Sequence, residues 1–354
     1  MLLEHLGWND ELAENFARQY GDEYCPARVS LEQRGLYMVM MERGELPAVP
    51  TGRLLYEAVD RSDLPVVGDW VAVRLFGDVD PMVTINGLLP RKSAVYRQEA
   101  GKRTRIQVLA ANLDSLFLVI GLDGNFNLNR VERYLAQAWD SKAQPVILLT
   151  KADLRDDVEA VELEVKSCAH QVAVHAISGL TGFGIDALTP YLAEGKTVAL
   201  LGSSGVGKST LLNRLIGENV QRTLEVRDFD SKGRHATTHR QMFRLPSGAL
   251  LIDTPGIREF RLWEAQEGVA ETFDDIEKLA RSCRFSNCLH NHEPGCAVIE
   301  ALESGQLERS RLENYRKMRR ELAYQERKLD INAARTANRR LKQISKSRKT
   351  IKDQ

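Results

Sequence analysis

The stretch Gly202-Ser203-Ser204-Gly205-Val206-Gly207-Lys208-Ser209-Thr210 constrains this chain more than any other. It follows the apolar run Thr197-Val198-Ala199-Leu200-Leu201 and precedes Leu211-Leu212-Asn213-Arg214-Leu215-Ile216. A buried strand, a glycine-rich turn and a helix are therefore predicted in that order, the context a phosphate loop requires. The glycines let successive backbone N–H groups converge on phosphate oxygens, and the helix N-terminus adds positive potential. In such a loop Lys208 reaches the β- and γ-phosphates and the Ser209 hydroxyl ligates Mg²⁺. Farther along, Leu250-Leu251-Ile252 reads as an apolar strand ending in Asp253-Thr254-Pro255-Gly256. An acid at that strand end holds Mg²⁺ through water, and the Gly256 N–H touches a γ-phosphate, so the pair reads as a nucleotide switch.

A chain of 354 residues is long enough for two or three domains, and 43% hydrophobic with 28% charged residues is the balance of a globular protein. No apolar run approaches a membrane span and the N-terminus lacks a signal-peptide layout, so no membrane partner and a cytoplasmic location are expected. Five cysteines, an odd number, fit a reducing compartment better than a disulfide framework. The formal net charge of zero hides an asymmetry. Residues 309–354 hold 16 Lys and Arg against 5 Asp and Glu, a net +11, which leaves −11 on the rest. A basic tail of this kind suits an anionic partner.

In chain order, residues 1–27 form a short extension with a helix over Asp10–Ala17. From 28 to about 95, short β-rich runs such as Gly35–Met40, Gly52–Tyr56, Val66–Val73 and Met82–Ile85 suggest a small barrel or sandwich. An OB-fold fits that length and offers a nucleic-acid-binding face, although periodicity alone does not select it. Pro90–Arg105 reads as a polar, basic connector. Strand and helix patterns then alternate: Leu113–Ile120, Leu128–Trp139, Pro145–Leu149, Val158–Cys168, Val172–Ile177 and the phosphate-loop strand. That alternation indicates a parallel, doubly wound α/β sheet over about 105–262. Residues 263–354 hold a Cys/His cluster, a basic helix from Leu307 to Arg340, and a Ser345–Gln354 end expected to be disordered.

Ligands of such sheets gather at the carboxyl ends of strands. Thr150-Lys151-Ala152-Asp153 occupies one such end, and Ser178-Gly179 the next. A carboxylate placed like Asp153 takes two hydrogen bonds from guanine N1 and N2, a donor pair adenine lacks, while the Lys151 stem lies on the purine plane. In Cys283-x4-Cys288-x-His290-x5-Cys296, three thiolates and an imidazole fall within fourteen residues. A structural tetrahedral Zn²⁺ takes such a set with no open position, with His292 as an alternative to His290.

Phosphate loop, DTPG switch and base reader are the parts of a Ras-like GTPase, but the base reader precedes the phosphate loop. This resembles the circularly permuted GTPases. With the β-rich N-terminal part and the Cys/His cluster, it is similar to the ribosome small subunit-dependent GTPase A family (RsgA, YjeQ, YloQ) over roughly 28–330. Val67-Gly68-Asp69-Trp70-Val71, Leu89-Pro90-Arg91-Lys92-Ser93, Ala111-Asn112-Leu113-Asp114, Gly233-Arg234-His235-Ala236-Thr237-Thr238-His239 and Asp253–Phe260 carry the resemblance. Two departures stand out. Thr150 replaces the Asn of the usual Asn-Lys-x-Asp and keeps one hydrogen-bond donor without the carboxamide. Ala236 replaces a threonine of the usual His-Thr-Thr-Thr, leaving Thr237 or Thr238 to close on Mg²⁺ and the γ-phosphate, with Thr237 favoured.

The resemblance implies a Ras-like permuted GTPase domain flanked by an OB-fold barrel and a C-terminal zinc-binding helical domain. It implies GTP hydrolysis on the small (30S) ribosomal subunit during its late maturation, with release on hydrolysis. Bound GTP or GDP with Mg²⁺, one structural Zn²⁺, rRNA contacts and a monomeric chain complete that expectation. Ile257 holds the place where many GTPases carry a water-orienting Gln, and the resemblance gives that task to His235. The rival readings are a phosphate-loop ATPase or kinase, and an RNA-binding module with a degenerate switch.

Overall fold

The computed structural model describes residues 2–33, 35–75, 82–98, 106–124, 126–217, 240–253 and 265–327. Helix α1 (Asp10–Tyr20) is capped by Asn9, whose side chain accepts from the Leu12 N–H at 2.9 Å. Five strands follow: β1 (Cys25–Gln33), β2 (Leu36–Met41), β3 (Gly44–Pro50), β4 (Trp70–Arg74) and β5 (Val83–Leu88), with α2 (Gly52–Glu57) between β3 and β4. They pair in the order β1-β2-β3-β5-β4, and β4 returns to β1, which closes a barrel. The β3–β5 pair alone is parallel. Small β-branched side chains fill the interior, with Val29, Val39, Val71, Val73, Val83 and Ile85 fully buried. Of the small β folds left open above, the molecule adopts the OB-fold.

The expected connector is instead a β-hairpin. Strand β6 (Ala94–Gln98) pairs antiparallel with β7 (Ile106–Ala111), with a register shift at Val95/Tyr96. Its small apolar residues Ala94, Val95, Val108, Leu109 and Ala110 are buried, which explains why a basic stretch still forms sheet.

The α/β domain contains β8 (Ser115–Gly121), α3 (Leu128–Asp140), β9 (Gln144–Thr150), α4 (Val158–Cys168), β10 (Ala173–Ala176), β11 (Thr197–Leu201), α5 (Lys208–Ile216), β12 (Arg240–Arg244) and β13 (Leu250–Asp253). The sheet order is β10-β9-β8-β11-β13-β12, parallel throughout except for β12 against β13. Alternate strand residues enter opposite layers. Leu116, Leu118, Ile147, Leu149, Ala199 and Ile252 pack on one face, and Phe117, Val119, Val146, Leu148, Val198 and Leu251 on the other. Both faces being covered accounts for the unbroken apolar runs of these strands.

Barrel and domain share one sheet, because Leu31 and Glu32 of β1 pair with Gln241 and Arg240 of β12. Arg28 locks the join. Its guanidinium donates to the Leu6, Gly68 (3.3 Å) and Asn112 (3.1 Å) carbonyls and stacks over Trp70. Burial pulls its pKa down to about 10, against the attraction of Asp114 and Asp69.

C-terminally, α6 (Gln266–Thr272), α7 (Asp274–Ala280), α8 (Ala297–Glu303) and α9 (residues 309–327) build a helical module around Phe273, Ile276, Val298 and Met318. It packs closely on α3: a Cβ on Gly268 would lie 1.8 Å from the Ala136 carbonyl oxygen, so only glycine fits there. Residues 328–354, including the remainder of the predicted basic helix, lie outside the described residues. No described helix is long and apolar enough to cross a membrane.

Candidate functional site

Because β8, β9, β10, β11 and β13 run parallel, their carboxyl ends share one edge of the sheet. The predicted phosphate loop leaves that edge between β8 and β11. Gly202 passes so close to β8 that a Cβ would sit 2.3 Å from the Val119 carbonyl oxygen. Gly205 (φ 80°) and Gly207 (φ 97°) adopt left-handed backbone, which turns the chain into α5. Val206 and Leu211 are buried beneath the loop, while Ser204, Gly205, Ser209 and Thr210 are exposed. The Lys208 ammonium donates to the carbonyls of Gly202 (2.7 Å) and Ser203 (2.6 Å). Burial lowers its pKa and the Asp253 carboxylate, at the end of β13, opposes that. The Ser203 hydroxyl shares a 2.8 Å hydrogen bond with the Tyr134 hydroxyl of α3.

The predicted base reader lies on the same edge. Thr150 is buried, its hydroxyl 2.5 Å from the Val206 carbonyl oxygen and 3.2 Å from that of Ile120. A hydroxyl has one hydrogen, so it donates to one carbonyl at a time, and the nearer belongs to the phosphate loop. Lys151 takes a left-handed conformation (φ 61°) and its ammonium pairs with Asp123 just beyond β8, at 2.7 Å. Asp153 is exposed in the short turn that follows. Ser178 is buried and accepts from the Thr181 N–H at 3.1 Å, which closes its loop. Arg214 of α5 donates to the Gly179 (3.1 Å) and Leu180 (2.6 Å) carbonyls, tying that loop to the phosphate-loop helix. Thus Thr150, Lys151, Asp153, Ser178, Gly202–Thr210 and Asp253 converge from distant parts of the chain. Thr237, Thr238, His235 and Gly256 lie outside the described residues. Asp123, Tyr134 and Arg214 were not identified from sequence. Only Asp123, next to a glycine at a predicted strand end, carried any signal.

The four predicted metal ligands meet in the C-terminal module, their ligand atoms all within 4.8 Å of one another. The Cys283 and Cys296 sulfurs are 3.8 Å apart, and His290 Nδ1 lies 3.5 Å and 3.4 Å from them. Tetrahedral Zn²⁺ with ordinary bond lengths needs edges of about 3.8 Å between sulfurs and about 3.6 Å between sulfur and nitrogen. The donor set and its spacing fit that ion. His290 reaches the cluster through left-handed backbone (φ 58°), and Arg316 of α9 donates to its carbonyl. The Glu293 carboxylate accepts from the N–H groups of Leu289 (2.9 Å), Asn291 (2.7 Å) and His292 (3.1 Å), which fold the loop and depress its pKa from 4.5 to about 2.

The RsgA GTPase family matches residues 88–263. The ABC transporter family also matches, over 185–350, a span that includes Gly202–Thr210. The small ribosomal subunit biogenesis GTPase RsgA of Opitutus terrae is 48% identical over 97% of this chain and 96% of its own length. The protein of that name from Methanosarcina acetivorans is 42% identical over 96% and 90%. The crystal structure of YjeQ from Thermotoga maritima superposes with a TM-score of 0.62 at 26% identity, over 85% of this chain and 99% of that one. The fold is also that of YloQ, described as a circularly permuted GTPase, with a TM-score of 0.61. With 48% and 42% identity to these RsgA proteins over nearly the whole chain, and with β9 preceding the phosphate loop in the chain and lying one strand away from β11 in the sheet, this protein belongs to the RsgA GTPase family.

Proposed function

We propose that this chain binds and hydrolyses GTP on the small (30S) ribosomal subunit and assists its late maturation. The observation that carries the reading is the meeting of Thr150–Asp153 and Ser178 with Gly202–Ser209 at one sheet edge, with Thr150 bonded to Val206. A purine held beside exposed Asp153 and a triphosphate laid over the glycine-rich loop require this juxtaposition. In this reading Asp153 accepts from guanine N1 and N2, Lys151 covers the base, and the backbone N–H groups of 203–210 cradle the phosphates. Lys208, already held over the loop by two carbonyls, offers its ammonium to the β- and γ-phosphates. Bound Mg²⁺ would neutralise charge developing on the phosphates. Ser209 at the head of α5 and Asp253 at the end of β13 are the residues to hold it, with Thr237 closing on it and Thr238 beside it. Gly256 would donate to the γ-phosphate, and His235 would orient the attacking water.

The four-ligand cluster supports one structural zinc per chain, on Cys283, Cys288, His290 and Cys296. The proposed division is an extension (1–27), an OB-fold barrel (28–95), the permuted GTPase domain (105–262) and a zinc-bearing module with basic tail (263–354). Barrel and basic helix would grip rRNA through phosphate contacts. The relatives' naming as small ribosomal subunit biogenesis GTPases supports that partner, and a monomeric, cytoplasmic protein is consistent with it. The test is turnover of GTP with and without purified small subunits, with ATP in competition. Activity on GTP, raised by subunits and not displaced by ATP, is expected. Turnover of ATP in preference to GTP would reject the reading.

A further inference from the structure

Helix α3 is held at both sides by different parts of the molecule. On one side Tyr134, buried, bonds Ser203 in the phosphate loop at 2.8 Å. On the other, the two residues before it hold α9. Glu132 accepts from Arg311 at 2.6 Å and from Asn314, and Arg133 donates to both Glu321 oxygens at 3.0 and 2.9 Å. Successive helical residues point about 100° apart, so three consecutive side chains reach both sides. Arg311 extends the grip by donating to Asp275 (2.8 and 2.7 Å) and to the Thr272 carbonyl (2.9 Å). The same α9 supplies Arg316 to the carbonyl of His290 in the Cys/His cluster. A short chain of directional contacts thus runs from the phosphate loop to the C-terminal module without passing through the switch segments.

We infer that Tyr134 is a positioning residue that registers the phosphate loop against the C-terminal module, so that nucleotide occupancy changes how firmly α9 is held. Placing phosphates over the loop fixes Ser203, the Tyr134 hydroxyl follows it, and α3 carries Glu132 and Arg133 with it. The inference rests on the GTP-binding reading above.

Hydrogen–deuterium exchange on the full chain tests it, with nucleotide affinity measured on the same samples. In the wild type, GDP or a non-hydrolysable GTP analogue should slow exchange in 309–327. Tyr134→Phe removes one hydroxyl and keeps the ring. It should weaken nucleotide binding by about threefold to tenfold, the worth of one hydrogen bond, and abolish the slowing in 309–327 at saturating nucleotide. Ser203→Ala should lose the same response, the double variant should lose no more than either single, and Ser203→Thr should keep it. A purely packing role for Tyr134 would leave the response intact in Tyr134→Phe, and that result overturns the inference. So does a wild type that binds nucleotide with no change in 309–327. A wild type that binds neither GTP nor GDP removes the underlying reading as well, which the affinity measurement reports separately.

Discussion

Thr150→Val removes a hydroxyl from a buried position and leaves the shape of the side chain nearly unchanged. In the structure that hydroxyl lies 2.5 Å from the Val206 carbonyl and 3.2 Å from that of Ile120. Its single hydrogen serves the phosphate loop, so the variant loses one bond and leaves one loop carbonyl without its donor. A net hydrogen bond is worth about 1 kcal/mol, and an abandoned buried acceptor costs about 1–3 kcal/mol. Thr150 and Val206 are both buried, which puts the cost in the upper part of that range unless the loop relaxes. Relaxation moves the loop off its phosphate-ready shape, so the cost appears as weaker nucleotide binding. Taking about 1.4 kcal/mol as a tenfold change, GDP and GTP should each bind roughly thirtyfold to a hundredfold more weakly. Preference for GTP over ATP should not change, since Asp153 stands exposed and apart from this contact. Titration calorimetry with GDP, GTP and ATP measures all three, with Thr150→Ser as the control that restores affinity. If Thr150→Val binds GDP as tightly as wild type, or loses guanine preference while keeping phosphate affinity, Thr150 does not support the phosphate loop.

Asp153→Asn should cut the preference for GTP over ATP by about tenfold to a hundredfold, the scale of one charged hydrogen bond, in a competition assay; unchanged preference would refute its role. Arg311→Met strands Glu132, whose side chain is 4% exposed, and should destabilise the fold by about 3–5 kcal/mol in urea unfolding. An unchanged midpoint would show that the Glu132–Arg311 pair contributes no net stability. Metal analysis should return one zinc per chain and chelation should lower Tm; less than about half an equivalent in carefully purified protein refutes the four-ligand site. Glu293, held near pKa 2 against an ordinary 4.5, contributes loop stability that is complete above pH 4.5 and lost as pH falls toward 2. An NMR titration placing it near 4.5 would refute that assignment.

Features fixed by local chemistry were legible in the residues. Glycines at set intervals before Lys208 and Ser209 dictate a loop, and Cys283, Cys288, His290 and Cys296 sit close enough in sequence to meet by turns alone. Contacts made across the fold were not. Tyr134 reaches Ser203 across 69 positions, and Arg133 reaches Glu321 across 188, with nothing local to mark either. Thr150 was visible as a departure from Asn-Lys-x-Asp, but its partner depends on β9 ending beside Val206, a tertiary fact. The β6–β7 hairpin was obscured because Arg91, Lys92 and Arg97 dominate a stretch whose small residues are the buried ones. The OB-fold was legible through the family resemblance, whereas periodicity left it among other small β folds because the return of β4 to β1 is a tertiary pairing.

The pairing of β1 with β12 has a consequence for any shortened form of this protein. Strand β12 would otherwise end its sheet with a row of bare amide and carbonyl groups, a template on which another polypeptide could stack. The barrel covers the Arg240–Gln241 end of that row. Removing the first ninety or so residues would uncover that end, and the remainder would be expected to self-associate even with the whole α/β domain in place.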